Sequence, residues 1–237
     1  MENSKKSNKI AARVWLVGWG KVLSQTQTGS THHVLSGEKI YMKRKLLFVG
    51  VFRLLEGKNV NLRIVERDDT DFMVDCFNNI DFWGEYDPIV EQKSKTERMK
   101  QFDNPSNLAI LTERKRFIIQ KKDGTKIGFI GHWIVQPNRM MGIGYDIIPS
   151  ERGKGYGTEA IQLMVDYLFL SQNIGRIQAI TDVRNKASQS VLEKVGFRIE
   201  GTIRKSAFVR GVWTNAYLYS ILREEWKEPK TLTKSTR

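Results

Sequence analysis

One stretch, residues 149–160 (PSERGKGYGTEA), constrains most strongly what this chain can fold into. It sets Gly153, Gly155 and Gly157 at alternate positions, interleaves Arg152 and Lys154, and joins the apolar segment 141–148 to an amphipathic one. Glycine inside a helix costs about 1 kcal/mol relative to alanine, so glycines this dense serve a backbone need. A strand ending at Ile148, a glycine-rich turn and a helix starting between Gly155 and Thr158 leave main-chain N–H groups unpaired and aimed at one spot. Such a spot binds phosphate: the helix dipole and the two basic residues favour negative charge, and glycine lets the ligand come close. Two familiar phosphate loops do not fit. A Walker loop needs Lys-Ser or Lys-Thr after its last glycine, where this chain has Thr158-Glu159, and the dinucleotide pattern G-x-G-x-x-G needs glycine at Thr158.

The surrounding sequence supplies regular punctuation from Glu56 onward. Residues 59–65 (NVNLRIV) alternate as a strand, and Phe72, Met73, Cys76 and Phe77 recur at helical spacing behind capping aspartates. A second helix is expected over 89–102, after Pro88. Strands are expected over 108–120, 126–135 and 141–148, the first two joined by KKDGT, whose Asp-Gly is a hairpin signal. Beyond the glycines, Ala160, Ile161, Met164, Val165 and Leu168 form the apolar stripe of a helix lying on a sheet. A strand over 176–183 follows, then a helix with Asn185 as N-cap, a stripe at Ala187, Val191, Leu192 and Val195, and Gly196 as its stop. Strands over 197–203 and 212–222 close the pattern. Alternating helices and strands without an internal repeat predict one α/β domain.

Composition narrows the class. Among 237 residues no apolar run reaches the roughly 18 to 20 of a membrane span. Cys76 is the only cysteine and there are three histidines, so neither an internal disulfide nor a metal-ligand spacing exists, and a reducing, cytoplasmic setting is expected. The formal charge of +13 is unevenly spread: residues 1–53 hold ten Lys/Arg against Glu2 and Glu38. That segment lacks any sustained period and reads as a basic, poorly ordered extension. Within it MKRKLLFVGVF has the charge order of a secretory start, but the apolar run is short and Arg53 interrupts it. The organisation expected is therefore an extension over 1–53, a domain over 54–223 and a charged tail over 224–237. The basic extension shows no regular aromatic interleaving, so nucleic acid is not an expected partner.

Two motifs then point to a family. RGKGYG, residues 152–157, fits the acyl-CoA loop [QR]-x-x-G-x-[GA], and NKASQSVLEKVGFRIEGTIRK, residues 185–205, resembles N-x-x-S followed by VLEK-x-GF-x-x-EG. They stand in the right order, separated by one helix and one strand. From about residue 56 to 222 the chain thus resembles the GCN5-related N-acetyltransferases (GNAT), in the branch that includes the ribosomal-protein N-terminal acetyltransferases. The resemblance implies the GNAT fold, a mixed central sheet with a splayed strand pair and helices on both faces. It implies transfer of an acetyl group from acetyl-CoA, as co-substrate, to a primary amine by direct attack in a ternary complex. The acceptor would be a protein N-terminus or a small molecule, and the protein a monomer or homodimer with no membrane partner.

Carried over residue by residue, the resemblance assigns main-chain groups of Arg152, Gly153, Lys154, Gly155, Tyr156, Gly157 and Thr158 to the CoA pyrophosphate. It assigns the backbone of Ile147 and Ile148, with Asn185, to the pantetheine arm. Ser188 matches a serine that hydrogen-bonds or protonates the departing sulfur, although both Asn185 and Ser188 also suit a helix cap. The base is where the chain departs from its relatives: where many carry Glu before an IGY sequence, this one has Gly142 in MGIGYDI. Asp146, on the same strand face by period-two counting, and Glu85 in FWGEYDP are the substitutes, and a water relay is a third reading. A domain that binds acyl-CoA without transferring the acyl group is the alternative that this missing Glu keeps open. Phe82, Trp83 and Tyr86 read as core more than cleft, His132 as a packed residue rather than a base, and Gly211 as the turn of the last hairpin. Asn215 stands where relatives often have Asp.

Overall fold

The computed structural model describes residues 55–103, 114–135 and 140–230. The extension expected over 1–53, the start of the strand expected over 108–120 and residues 231–237 of the expected tail lie outside the described residues. Among the described residues, eight strands form one sheet. Its N-terminal half runs antiparallel through β1 (Leu55–Glu56), β2 (Val60–Ile64), β3 (Arg114–Lys121), β4 (Lys126–Val135) and β5 (Met140–Ile147). The Asp-Gly signal is the β3–β4 hairpin, with Gly124 at φ 87°. Next come β6 (Arg176–Asp182), β7 (Arg198–Val209) and β8 (Val212–Leu222), and the spatial order is β1-β2-β3-β4-β5-β6-β8-β7. β5 and β6 are parallel neighbours while every other pair is antiparallel, so the sheet is mixed, as expected.

Helices cover both faces. On one, α4 (Tyr156–Ser171) lays Ala160, Ile161, Met164, Val165 and Leu168, all buried, across Ile130, Ile143 and Ile177. The stripe read from the sequence is its core face, and α5 (Lys186–Val195) packs beside it through Leu192 and Val195. On the other face, α1 (Thr70–Phe77) and α2 (Ile80–Trp83) bury Met73, Cys76, Phe77 and Phe82 against Ile118 and Phe129. α1 follows a 3-10 turn, Arg67–Asp69, whose Asp69 is 1 % exposed and ion-paired to Arg63 and Lys126, both at 2.7 Å.

Three boundaries differ from expectation, each for a local reason. The second helix begins at Lys95 rather than 89, giving α3 (Lys95–Asp103). Ser94 and Glu97 form a reciprocal capping box. The Glu97 N–H donates to Ser94 Oγ at 3.2 Å and the Ser94 N–H to Glu97 Oε2 at 2.8 Å. Upstream, the Asn78 side-chain amide holds the Lys93 main chain, donating to its carbonyl and accepting from its N–H. β7 runs on to Val209 because irregular pairing near Gly201 and between Ile203 and Ala207 absorbs the extra residues. Lys205 takes φ 48° there and donates its N–H to Asn215 Oδ1. Finally, the expected tail begins with an anchor: Trp226 packs on Phe169 and donates to Asp166, which also accepts the Lys230 N–H.

Candidate active site

β5 and β6 pair only at Met141 with Ile177 and at Gly142 with Gln178, after which they part. The gap opens beside the glycine loop. Ile148 donates its N–H to Ile127 at the start of β4 and accepts from Glu151, so its main chain is fully engaged. By the alternation of an antiparallel ladder, the main-chain groups of Ile143, Tyr145 and Ile147 face the opposite way, into the gap. Of the two backbone positions expected to meet pantetheine, Ile147 therefore faces the opening and Ile148 does not. The Ile147 carbonyl accepts a hydrogen bond from Arg152 Nε at 2.9 Å.

The loop itself is built by backbone conformation. Gly153 and Gly155 take φ 76° and 86°, and Gly155 is the N-cap of α4 with no side-chain cap. L-residues are disfavoured at such angles. The first intrahelical bond is Glu159 N–H to Gly155, so the amides just before it point outward from the helix start. A Cβ at Gly153 or Gly155 would meet nothing within 4 Å, whereas at Gly157 it would come within 2.8 Å of the Tyr145 ring. Gly157 thus serves the packing of α4 on β5. The two basic residues of the loop are engaged elsewhere. Arg152 braces β5 to α2, donating to Phe82 at 2.6 Å as well as to Ile147, and Lys154 pairs with Glu151 at 3.0 Å. The Arg152 N–H is taken by Pro149, so of the amides expected to meet the pyrophosphate this one is already spent. Glu159, where a Walker loop would carry Ser or Thr, ties the β1–β2 turn through Asn59.

A cavity of about 1210 Å³ runs from this loop through the gap to the α2 side. It brings together Gly155, Gly157, Tyr145, Asp146, Asn185 and Ser188 with Glu85 and Asp87, from stretches far apart in the chain. Asn185 caps α5, accepting from the Ser188 N–H at 3.0 Å, while the Ser188 side chain lines the cavity. Tyr145 beside it carries no signal in the sequence that would single it out. Burial pushes its phenol up, and the Ser188 hydroxyl acts in the opposite direction.

The departure at Gly142 has a physical partner. The Trp133 indole of β4 lies over Gly142 and Gly144, and any side chain at Gly142 would collide with it. The space that a longer side chain at Gly142 would fill is therefore taken by an indole. Asp146 shares that strand face and lines the cavity, as the period-two count expected. Glu85 lies in the lining but is exposed. Sequence reasoning missed Asp87, two residues on, because a carboxylate in an irregular segment carries no periodic signal. Burial raises its pKa; the Arg152 charge opposes this and Asp182 adds to it. Asp182, by contrast, is held low by its hydrogen bonds from Arg184. Cys76 is buried outside the cavity and its thiol is pushed up to about 12, chiefly by burial, so it offers no nucleophile. His132, between Phe117 and Tyr167, is likewise not in the lining.

A mixed sheet that parts beside a glycine-capped helix start defines an α/β domain with a deep opening between two parallel strands. The chain belongs to the GNAT acetyltransferase family, whose domain model matches residues 59–198. It is similar to the uncharacterized N-acetyltransferase YoaA of Bacillus subtilis, 31% identical over 178 residues that span 73% of this chain and 98% of the relative. Among solved structures, the ribosomal-protein-S5-alanine acetyltransferase of Vibrio fischeri superposes with a TM-score of 0.64 at 22% identity, over 73% of this chain and 98% of the other. A Vibrio cholerae spermidine N-acetyltransferase in complex with CoA and spermine gives 0.62 at 24%, over 70% and 96%. The chain is accordingly an N-acetyltransferase. Among the described residues no helix is long and apolar enough to cross a membrane.

Proposed function

We propose that this protein transfers acetyl from acetyl-CoA to a primary amine within the cavity, and that Asp87 accepts the amine's proton. The observation that carries this reading is the gap itself: two parallel strands that pair at two positions and then part, with a glycine N-cap at its mouth. Amides of residues 153–158 hold the pyrophosphate, and the outward main chain of Ile143, Tyr145 and Ile147 aligns the pantetheine arm along β5. The thioester then sits between Ser188 on one side and the α2 side on the other. The amine enters past α2, attacks the carbonyl directly and loses a proton, and the thiolate departs beside the Ser188 hydroxyl with Tyr145 next to it.

Asp87 suits the base for two reasons. It lines the cavity, and burial keeps its affinity for protons above that of an ordinary carboxylate. Asp182 is committed to Arg184, and Glu85 is exposed. Asp146 also lines the cavity and shapes the field around the amine. Relatives of the fold act on a ribosomal protein and on spermidine, which supports an amine acceptor without choosing between those classes. The test is acetylation of a panel of peptides and polyamines followed by mass, with Asp87→Asn and Ser188→Ala alongside. Asp87→Asn should lower kcat about a hundredfold and abolish the acid limb of the pH profile, which wild type should show above the usual carboxylate range. Full activity in Asp87→Asn would remove Asp87 from this role, and an enzyme inert toward every amine would remove the reading.

A further inference from the structure

A second, smaller cavity of about 320 Å³ lies on the same side of the sheet as α1 and α2. It holds a buried guanidinium: Arg98 of α3 is 5 % exposed, and its Nε has no hydrogen-bond partner among the described residues. The Arg98 guanidinium lies 4.8 Å from the centroid of Phe77, and so does that of Arg116 on β3. Two positive groups are thus held within twice that distance of each other around one ring. Lys93 adds a third to the lining. The one acid among the described lining residues, Glu91, has a largely exposed side chain turned toward Lys93 at 3.9 Å. Burying a guanidinium with an unmet donor is costly. An anion entering this cavity would offset that cost. Desolvation also lowers the Arg98 pKa, against the opposing charge of Glu97.

The cavity is not isolated. Trp83 and Arg116 line both it and the large cleft, so the two share a wall. We propose that the smaller cavity is a specificity subsite for a carboxylate carried by the acceptor, so that the preferred acceptor is a peptide amine followed closely by an acidic residue. This inference rests on the acetyl-transfer reading above and narrows its acceptor. The amine stands in the large cleft among Asp87 and Asp146, and the carboxylate reaches past Trp83 to Arg98. A polyamine has no group for that subsite.

The experiment compares two peptides with the same free N-terminus, one with glutamates and one with glutamines at the second to fourth positions, and spermidine as a third acceptor. Wild type should show a kcat/KM at least tenfold higher for the glutamate peptide than for either other acceptor. In Arg98→Met, which keeps an apolar stem beside Phe77, that ratio should collapse toward one. Calorimetry of the glutamate peptide against the CoA-loaded enzyme should show the same loss, and it reads binding even where turnover fails. Should Arg98→Met not fold, Arg98→Lys serves instead and should lower the ratio only in part. Acetylation of all three acceptors at similar efficiency by wild type overturns the subsite and leaves the acetyltransferase reading standing. Acetylation of none, with no peptide binding, overturns both.

Discussion

Single residues carry two separable demands here, backbone conformation and protonation. Gly155 sits at φ 86° with open space around its missing side chain. Gly155→Val is therefore not crowded by the protein. It strains the backbone by about 1–2 kcal/mol and places methyls where the ligand must approach. Acetyl-CoA affinity by calorimetry should fall tenfold or more, while Lys154→Ala, which removes a charge already paired with Glu151, should cost less than threefold. Equal losses in the two variants would point to charge instead of shape. His132 shows the other demand. It is 5 % exposed, neither ring nitrogen has a partner among the described residues, and burial together with the Lys115 charge depresses its pKa to about 4. The folded state thus holds the neutral ring while the unfolded chain takes up a proton below pH 6.5. The stability linked to this residue is full above pH 6.5 and falls as the pH drops toward 4, by about 3 kcal/mol in all. His132→Leu should be no less stable at neutral pH and should flatten this acid-side loss, as measured by urea unfolding above, within and at the foot of that window.

At the scale of elements, the two halves of the sheet are joined across the cleft by the β7–β8 hairpin. Arg210 and Gly211 take φ 50° and 86°. These are the paired positive angles of a type I′ turn, so the glycine read as a turn residue is one. The turn throws the Arg210 guanidinium onto the end of α2, where it donates to the Gly84 carbonyl at 2.6 Å. Arg152 holds the same short helix from below, through Phe82. α2 has only four residues and no stability of its own, so its position, and that of Asp87 just beyond, depends on tertiary contacts: the burial of Phe82, the Trp83 bond to Phe77 and these two arginines. Arg210→Ala should speed amide hydrogen exchange across 80–87 while leaving the β3–β5 core protected, and should raise the KM for acceptor more than it lowers kcat. Unchanged exchange in 80–87 would mean that the hairpin does not hold the segment.

At the scale of the molecule, the domain boundaries are set by what packs. The family match begins at residue 59, and β1 begins at Leu55. A chain starting at Leu54 should be soluble, bind acetyl-CoA with wild-type affinity and keep its turnover. Loss of binding in a folded protein would assign residues 1–53 a part in the site. The C-terminal end behaves differently, since Trp226 reaches Asp166, a fully buried acid on α4. Removing residues beyond 223 would leave that carboxylate without two of its donors.

The sequence alone determined what local physics can encode. The α4 stripe, the Asn185 cap, the Gly196 stop and the glycine loop each rest on a period, a cap or a backbone angle that a few neighbouring residues specify. From these followed the helix and strand order, and two motifs pointed to the family. Tertiary structure decided what depends on residues far apart meeting. Asp87 became a candidate base only when folding buried it within the fields of Arg152 and Asp182. Gly142 acquired its reason from Trp133 on the neighbouring strand, and the loop cations proved to be a brace and an ion pair. Arg98 acquired an unmet donor when folding buried its side chain on an otherwise largely exposed helix. Burial and field are sums over the whole fold, so no short stretch of sequence can state them.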